Sequence, residues 1–305
     1  MMQIEPFHDR HLIQLQALIN AHLSAVVPGW ALPSAFIADR LRRDPHQYGI
    51  DPWVTERTTL CALERQRVGA AAHLLRYGAD PQVGEYYRGA ADIAWFVFWP
   101  EHVAAALALL SAVHSHLASW HATRAYAWDS GLPVPLLVGV PDVWPHIADA
   151  LASMGYQPFP DRTEALYGGR LDGVPAPSAP PIAGLALRRT VESLGACFSA
   201  IVEGQKVGHC DCDPDLTLGG ELPALRGWAE LFEIEVEAHW RNRGIGTWLV
   251  QYAAAWLRLS GCDRIVLAVA SEDEAAGAGR FYRRFGWETL VREQPGWSRA
   301  VARDD

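Results

Sequence analysis

One stretch decides the fold of the second half of this chain: Glu230-Leu-Phe-Glu-Ile-Glu-Val-Glu-Ala-His-Trp-Arg-Asn-Arg-Gly-Ile-Gly-Thr-Trp-Leu-Val250. Its first part alternates apolar and acidic residues, which predicts a strand, and apolar residues at helical spacing begin at Ile245. Two arginines and two glycines lie between these parts. Free N–H groups at a helix N-terminus attract anions, and glycine lets the main chain approach a phosphate closely. The stretch therefore predicts a strand, a diphosphate-binding loop and a helix.

The glycine pair alone does not identify the bound nucleotide. A Walker A loop would end in Gly-Lys-Ser/Thr, and a dinucleotide fold would have a third glycine where this chain has Leu249. A helix that merely begins with a flexible turn is the alternative interpretation. A second motif, Ala278-Gly-Arg-Phe-Tyr-Arg-Arg-Phe-Gly-Trp287, follows a predicted strand and helix and makes the pattern more specific.

The order strand, Arg-x-x-Gly-x-Gly, helix, strand, helix, Phe-Tyr-x-x-x-Gly-aromatic resembles the GCN5-related N-acetyltransferase (GNAT) superfamily. The motif-level resemblance covers residues 228–292. It implies acetyl-CoA as co-substrate and direct transfer of the acetyl group to a primary amine. It also implies the cofactor-binding positions, which are Ile234, Glu235 and Val236 for the pantetheine arm and Arg241, Asn242, Arg243, Gly244, Ile245, Gly246 and Thr247 for the pyrophosphate.

The resemblance implies catalytic residues as well. Tyr282 matches the tyrosine that protonates the leaving thiolate, and a phenol of pKa about 10 holds its proton at neutral pH. For the general base, the family often uses a carboxylate on the long strand. We favour Glu233, with Glu230 second, and the alternative is that these glutamates line a solvated face. Alternation puts Glu230 on the face opposite Glu233, unless a bulge intervenes.

The chain departs from the family pattern in two places. The segment Ser271–Gly277 has no asparagine that could contact the cofactor. The second half also lacks the two helices that usually follow the first strand and cover the acceptor site.

Residues 173–184 contain four prolines and predict a linker. The expected domains are 1–172 and 185–305. Both share one order of strands and helices, which predicts an α/β protein of the α+β type with two tandem GNAT-like domains. Each would be a mixed, mostly antiparallel twisted sheet flanked by helices. The first half has Glu101 and no glycine pair where the phosphate loop would stand, so we expect a degenerate copy that binds no cofactor.

Composition limits the remaining classes of function. The net charge of −9 argues against nucleic-acid or anionic-membrane partners. The chain has five cysteines, no signal-peptide pattern and no long apolar run, which together predict a cytoplasmic protein. We expect it to be a monomer or a homodimer. The spacing of His114, His116 and His121 is wrong for a metal site, and alternation divides His209–Asp213 between two faces, so no metal is expected.

The predicted function is that of an acyltransferase, an N-acetyltransferase with a small-molecule or peptide amine as acceptor. A binding protein that senses acyl-CoA without turnover is the alternative.

Overall fold

The computed structural model describes residues 2–45, 49–192 and 195–299. The chain forms two compact units: Met1–Glu164 with Val291–Asp305, and Ala165–Leu290. Among the described residues, no helix has the length and apolar character needed to cross a membrane.

The helices and strands follow one another in this order: β1 (Met2–Pro6), α1 (Leu12–Val26), α2 (Ser34–Arg42), β2 (Val54–Glu64), β3 (Arg67–Tyr77), β4 (Ala91–Phe98), α3 (Val103–Ser119), β5 (Ala125–Ala127), β6 (Val140–Pro141), α4 (Pro145–Ser153), β7 (Gln157–Pro158), β8 (Glu164–Arg170), β9 (Leu185–Glu192), β10 (Gly195–Val202), β11 (Gln205–Asp213), β12 (Trp228–Val236), α5 (Ile245–Leu259), β13 (Arg264–Ala270), α6 (Ser271–Ala276), α7 (Ala278–Arg283), β14 (Glu288–Gln294) and β15 (Trp297–Arg299).

Two mixed sheets organise these elements. One has the strand order β1-β2-β3-β4-β5-β15-β7, and the other has the order β6-β14-β8-β13-β12-β11-β10-β9. The β4–β5 and β12–β13 pairs are parallel, whereas the pairs from β1 to β4 and from β9 to β12 are antiparallel. The predicted fold class, an α/β chain with two mixed sheets flanked by helices, is confirmed.

The predicted boundaries at 1–172 and 185–305 differ from the two compact units. β8 lies between β14 and β13, so residues 165–172 belong to the second unit. β15 lies between β5 and β7, so the described residues from Val291 onward belong to the first unit. Each short strand joins the sheet in which its backbone finds hydrogen-bonding partners, whatever its place in the sequence. Residues 173–184 therefore connect β8 to β9 inside the second unit and do not join two domains.

The proline-rich segment 173–184 packs along α5. The backbone N–H and the hydroxyl of Ser178 both donate to the Gln251 side chain, and the Trp248 indole N–H donates to the Ser178 carbonyl. Arg258 donates to the carbonyl of Leu171, which precedes this segment, and to that of Val174 within it. These bonds satisfy backbone groups that proline-rich chain cannot pair in a sheet.

Helix α5 holds the second core together. Its buried face includes Trp248, Leu249, Ala253 and Leu257, which pack in one cluster with side chains from the sheet. The helix ends before Gly261, which has a φ of 93° that favours glycine.

The two units differ in the elements after their first strand. In the first unit α1 and α2 stand between β1 and β2. In the second unit β9 and β10 pair directly, with Glu192 opposite Gly195. Among the described residues, no helix lies between β9 and β10, where α1 and α2 stand in the first unit.

Buried histidines make the first unit sensitive to acid. Burial lowers the pKa of His22 to about 4 and that of His73 to about 3, from an ordinary value of 6.5. Below about pH 6.5 the unfolded chain binds protons that the folded chain does not, so stability falls as the pH falls. Each histidine contributes a slope of about 1.4 kcal/mol per pH unit.

We expect His73→Asn to reduce the pH dependence of the free energy of unfolding between about pH 6 and about pH 4, by about one proton. Urea titrations over this range measure it. The control is His121→Asn, because His121 is exposed and its left-handed backbone suits asparagine. An unchanged slope in His73→Asn would contradict the assignment.

Candidate active site

The second sheet splits beside β12. Parallel pairing of β12 with β13 covers only Trp228, Ala229 and Glu230, the last opposite Val266. β12 continues to Val236 and β13 to Ala270, so the strands diverge beyond that point. The split leaves one backbone edge of β12 open to a ligand.

A groove of about 540 Å³ occupies the split. Its lining combines β12, the end of β13 and the two short helices α6 and α7, and it includes Phe232, Glu233, Ile234, Glu235, Val236, Arg241, Gly246, Asp273, Phe281 and Tyr282. A second pocket of about 460 Å³ lies at the start of α5 and shares Val236, Arg241, Gly246 and Phe281 with the groove. The two therefore form one continuous depression.

A bulge in β12 brings the candidate glutamates to one face. Asp211 pairs with Glu233 and Cys212 with Leu231, so Phe232 is the extra residue. Beyond the bulge Asp213 pairs with Glu230. Glu230, Glu233 and Glu235 consequently share one face of the sheet, whereas Leu231 and Ile234 face the core with α5. Strict alternation of side chains along the strand would place Glu230 on the face opposite Glu233.

Glu230 lies at the apex of the split and is largely buried. Burial and, to a lesser extent, the nearby Asp213 carboxylate raise its pKa to about 8. Burial also raises the pKa of Asp213. Glu230 therefore becomes a carboxylate, the form that a general base needs, as the pH rises through about 8.

Glu233 is exposed and lies against His209. Its Oε2 is 3.4 Å from the His209 Nε2, and an Asp211 oxygen is 4.0 Å from the same nitrogen. His209, Asp211 and Glu233 offer ligand atoms within 4.8 Å of one another, a grouping that the sequence analysis did not expect. The pairing of Asp211 with Glu233 creates it, because it places side chains of two neighbouring strands beside each other.

Tyr282 reaches the groove from α7. Its ring is buried between those of Tyr167 and Trp287, at centroid distances of 5.8 Å and 6.0 Å. Burial raises its pKa above the ordinary value, which keeps the phenol protonated. The groove brings Tyr282 together with Glu233, Ile234, Glu235 and Val236 from β12.

The pocket at the start of α5 is the candidate phosphate pocket. Gly244 has a φ of 82°, and the first helical bond runs from the Trp248 N–H to its carbonyl. The N–H groups of Ile245, Gly246 and Thr247 thus precede the first helical bond and point toward the pocket end of the helix. All three residues line the pocket, together with Gly244, Arg241 and Asn242.

The two predicted loop arginines take different positions. The Arg241 Nε donates to the Val236 carbonyl at 2.8 Å, and Arg241 lines both the groove and the pocket. The Arg243 guanidinium instead stacks 5.0 Å from the centroid of the Trp240 ring and is not among the pocket residues.

Residues 271–283 form two short helices, α6 and α7. Gly277 has a φ of 115° and separates α6 from α7, and Asp273, Ala276, Gly277 and Ala278 line the groove where the family asparagine would stand. Arg284, which follows α7, also lines the pocket, although no sequence motif indicates it. Its separation from the loop in sequence left no local signal.

Residues 170–287 match the model of the acetyltransferase (GNAT) family. A tandem GNAT protein from the clavulanic acid biosynthesis pathway, solved without acetyl-CoA, superposes with a TM-score of 0.63 over 100% of both chains at 15% identity. The second half of the chain thus resembles the GNAT family in sequence, and the whole chain shares the fold of a tandem GNAT protein.

Two further proteins that are similar to this chain carry N-acetyltransferase names. A curated protein of Methanocaldococcus jannaschii, described as an uncharacterized N-acetyltransferase, is 36% identical over 106 residues. That match covers 35% of this chain and 44% of the relative, less than half of its length. A GCN5-related N-acetyltransferase from Sphaerobacter thermophilus has a TM-score of 0.59 at 15% identity and covers 98% of this chain and 95% of its own. At such identities the solved structures show the fold alone.

The raised pKa of Glu230 predicts that this residue makes the folded protein less stable as the pH rises. A carboxyl group with a raised pKa costs the folded state stability above its unfolded pKa of 4.5, up to its folded pKa of about 8. We expect Glu230→Gln to be more stable than wild type, with a difference that grows across this pH range. Urea titration measures it, and the exposed Glu233→Gln is the control. A difference that does not vary with pH would contradict the burial of a titrating Glu230.

Proposed function

We propose that the second unit transfers an acetyl group from acetyl-CoA to an amine. The observation that carries this proposal is the continuous depression from the helix start to Tyr282. It offers backbone N–H groups and Arg241 for a pyrophosphate, an open strand edge for the pantetheine amides, and a protonated phenol at the reactive end. The match of residues 170–287 to the GNAT family model supports acyl transfer from this thioester.

In the proposed step the amine nitrogen attacks the thioester carbonyl and the C–S bond breaks. Tyr282 gives its proton to the leaving thiolate, and a carboxylate accepts a proton from the amine, directly or through water. We assign that carboxylate to Glu230, because burial raises its pKa to about 8 and because it lies at the apex of the split. Glu233, which lines the groove, is the second candidate. No metal takes part in this step.

The acceptor is proposed to be a primary amine of a small molecule or a peptide. Asp211, Asp213, Glu230, Glu233 and Glu235 share one face of the sheet through the register of β11 and β12, and this face attracts a protonated amine. No nucleic acid or membrane partner is proposed for a chain with net charge −9. The free cysteines, four of them buried, suit a reducing compartment such as the cytoplasm.

Gly244→Glu should abolish binding of acetyl-CoA, because it adds a carboxylate at the phosphate pocket and a side chain at a left-handed position. Calorimetric titration with acetyl-CoA measures this binding. In the same titration, wild type should show one site per chain, because the first unit has no phosphate loop. Gly204→Glu is the matched control, with the same φ of 82° and open space around it. Equal binding by both variants would exclude the pocket, and two sites of similar affinity would exclude a degenerate first unit.

Tyr282→Phe should lower turnover by about 10²-fold or more, while the affinity for CoA changes little. Thiol release with a panel of amines measures turnover.

In the same assay, the rate of wild type should rise with pH through about 8, and Glu230→Gln should remove this rise. If Glu233→Gln removes it instead, Glu233 is the base. Tight binding of acetyl-CoA without thiol release from any amine would favour the acyl-CoA sensor.

A further inference from the structure

A histidine and two carboxylates meet on the face of the second sheet that lies opposite α5. His209 and Asp211 are two residues apart on β11, and Glu233 pairs with Asp211 from β12. The His209 Nε2 is 3.4 Å from a Glu233 oxygen and 4.0 Å from an Asp211 oxygen. One ligand atom from each residue lies within 4.8 Å of the other two. The three side chains therefore converge on one small volume.

The separations of these atoms suit a metal ion. Zinc binds imidazole nitrogen and carboxylate oxygen at about 2.0–2.2 Å, so neighbouring ligand atoms of a tetrahedral site are about 3.3–3.6 Å apart. The distance from His209 to Glu233 is within that range. The distance from His209 to Asp211 exceeds it by a few tenths of an ångström, which a small rotation of the Asp211 side chain can supply.

The protein itself leaves polar atoms of this group without hydrogen bonds. His209 is only 9% exposed, and no hydrogen bond involves its ring within residues 2–45, 49–192 and 195–299. The Asp211 Oδ1 is buried and has no hydrogen-bond partner in the same part of the chain. Buried polar groups normally have a partner, and an ion is one way to provide it. A cation held between the three side chains would give both His209 and Asp211 a ligand.

We propose that His209, Asp211 and Glu233 bind a divalent transition-metal ion such as Zn²⁺. An imidazole nitrogen suits zinc, and the two carboxylates balance the charge of the ion. Three protein ligands leave a fourth position for water or another small ligand. Because Glu233 lines the groove, the ion would lie at the groove wall. This site does not depend on the proposed acetyl transfer, in which Glu230 is the assigned base.

Calorimetric titration of the metal-free, full-length chain with ZnCl₂ at neutral pH tests this site. Asp211→Asn and Glu233→Gln should each weaken Zn²⁺ binding at least about tenfold, because loss even of a group that only supports a ligand costs about ten- to a hundredfold. Both changes keep the size of the side chain, and Glu233 is exposed, so the fold should be retained. The matched control is Glu235→Gln, which removes the same charge from another exposed position on this face of β12.

A second control concerns Cys197, which pairs with Asp211 from β10 and offers a thiol to a metal. The inference is supported if Asp211→Asn and Glu233→Gln lose affinity while Glu235→Gln and Cys197→Ser bind Zn²⁺ like wild type. If Glu235→Gln loses as much, the acidic face attracts cations only by its charge and the inference is wrong. It is also wrong if Cys197→Ser alone loses affinity, or if wild type binds no Zn²⁺. None of these outcomes bears on acetyl transfer, which the acetyl-CoA titration tests separately.

Discussion

The site depends on one constraint, which is that β12 and β13 stop pairing after Glu230 and Val266. A strand inside a sheet normally has partners on both sides, so the remaining part of β12 has backbone groups directed into the groove. β11 still pairs with the other side of this part, through Cys210 and Gly208. The open edge is therefore rigidly held, and it suits the amides of an extended ligand such as a pantetheine arm.

The same strand pattern recurs in the first unit. There His73 pairs with Trp95 and Leu74 with Ile93, so Ala94 is the extra residue of a bulge in β4, and Asp92 pairs with both β3 and β5. Asp92 thus has the register position of Glu230, and burial raises its pKa as well. The bulged strand occurs in both units, whereas the candidate phosphate loop occurs in one. The conformation of the strand therefore does not depend on the loop.

The sequence predicted the parts of the site that local chemistry determines. The strand, the glycines at 244 and 246, α5 and the Phe281-Tyr282 pair all follow from patterns within a few residues. The sequence did not predict that β8 joins the second sheet and β15 the first, because a short strand has no local signal for the sheet that it joins. The bulge at Phe232 could not be predicted either, because one extra residue moves Glu230 to the other face of the sheet without changing the alternation of apolar and acidic residues in the sequence. Arg284 reaches the pocket only through tertiary packing.

Positive and negative side chains lie at different ends of β12, and this separation would place the two proposed substrates at different ends as well. The loop after the strand leads into a pocket with two arginines and no acid, while the strand itself carries Glu230, Glu233 and Glu235 on the face opposite α5. Both signs are thus presented within one continuous element of the chain. A polyanionic cofactor and a cationic amine would be drawn to different ends of it and repelled from each other's place. Because the strand is fixed in the sheet between these ends, the thioester and the amine would meet near the bulge, where Tyr282 closes the groove.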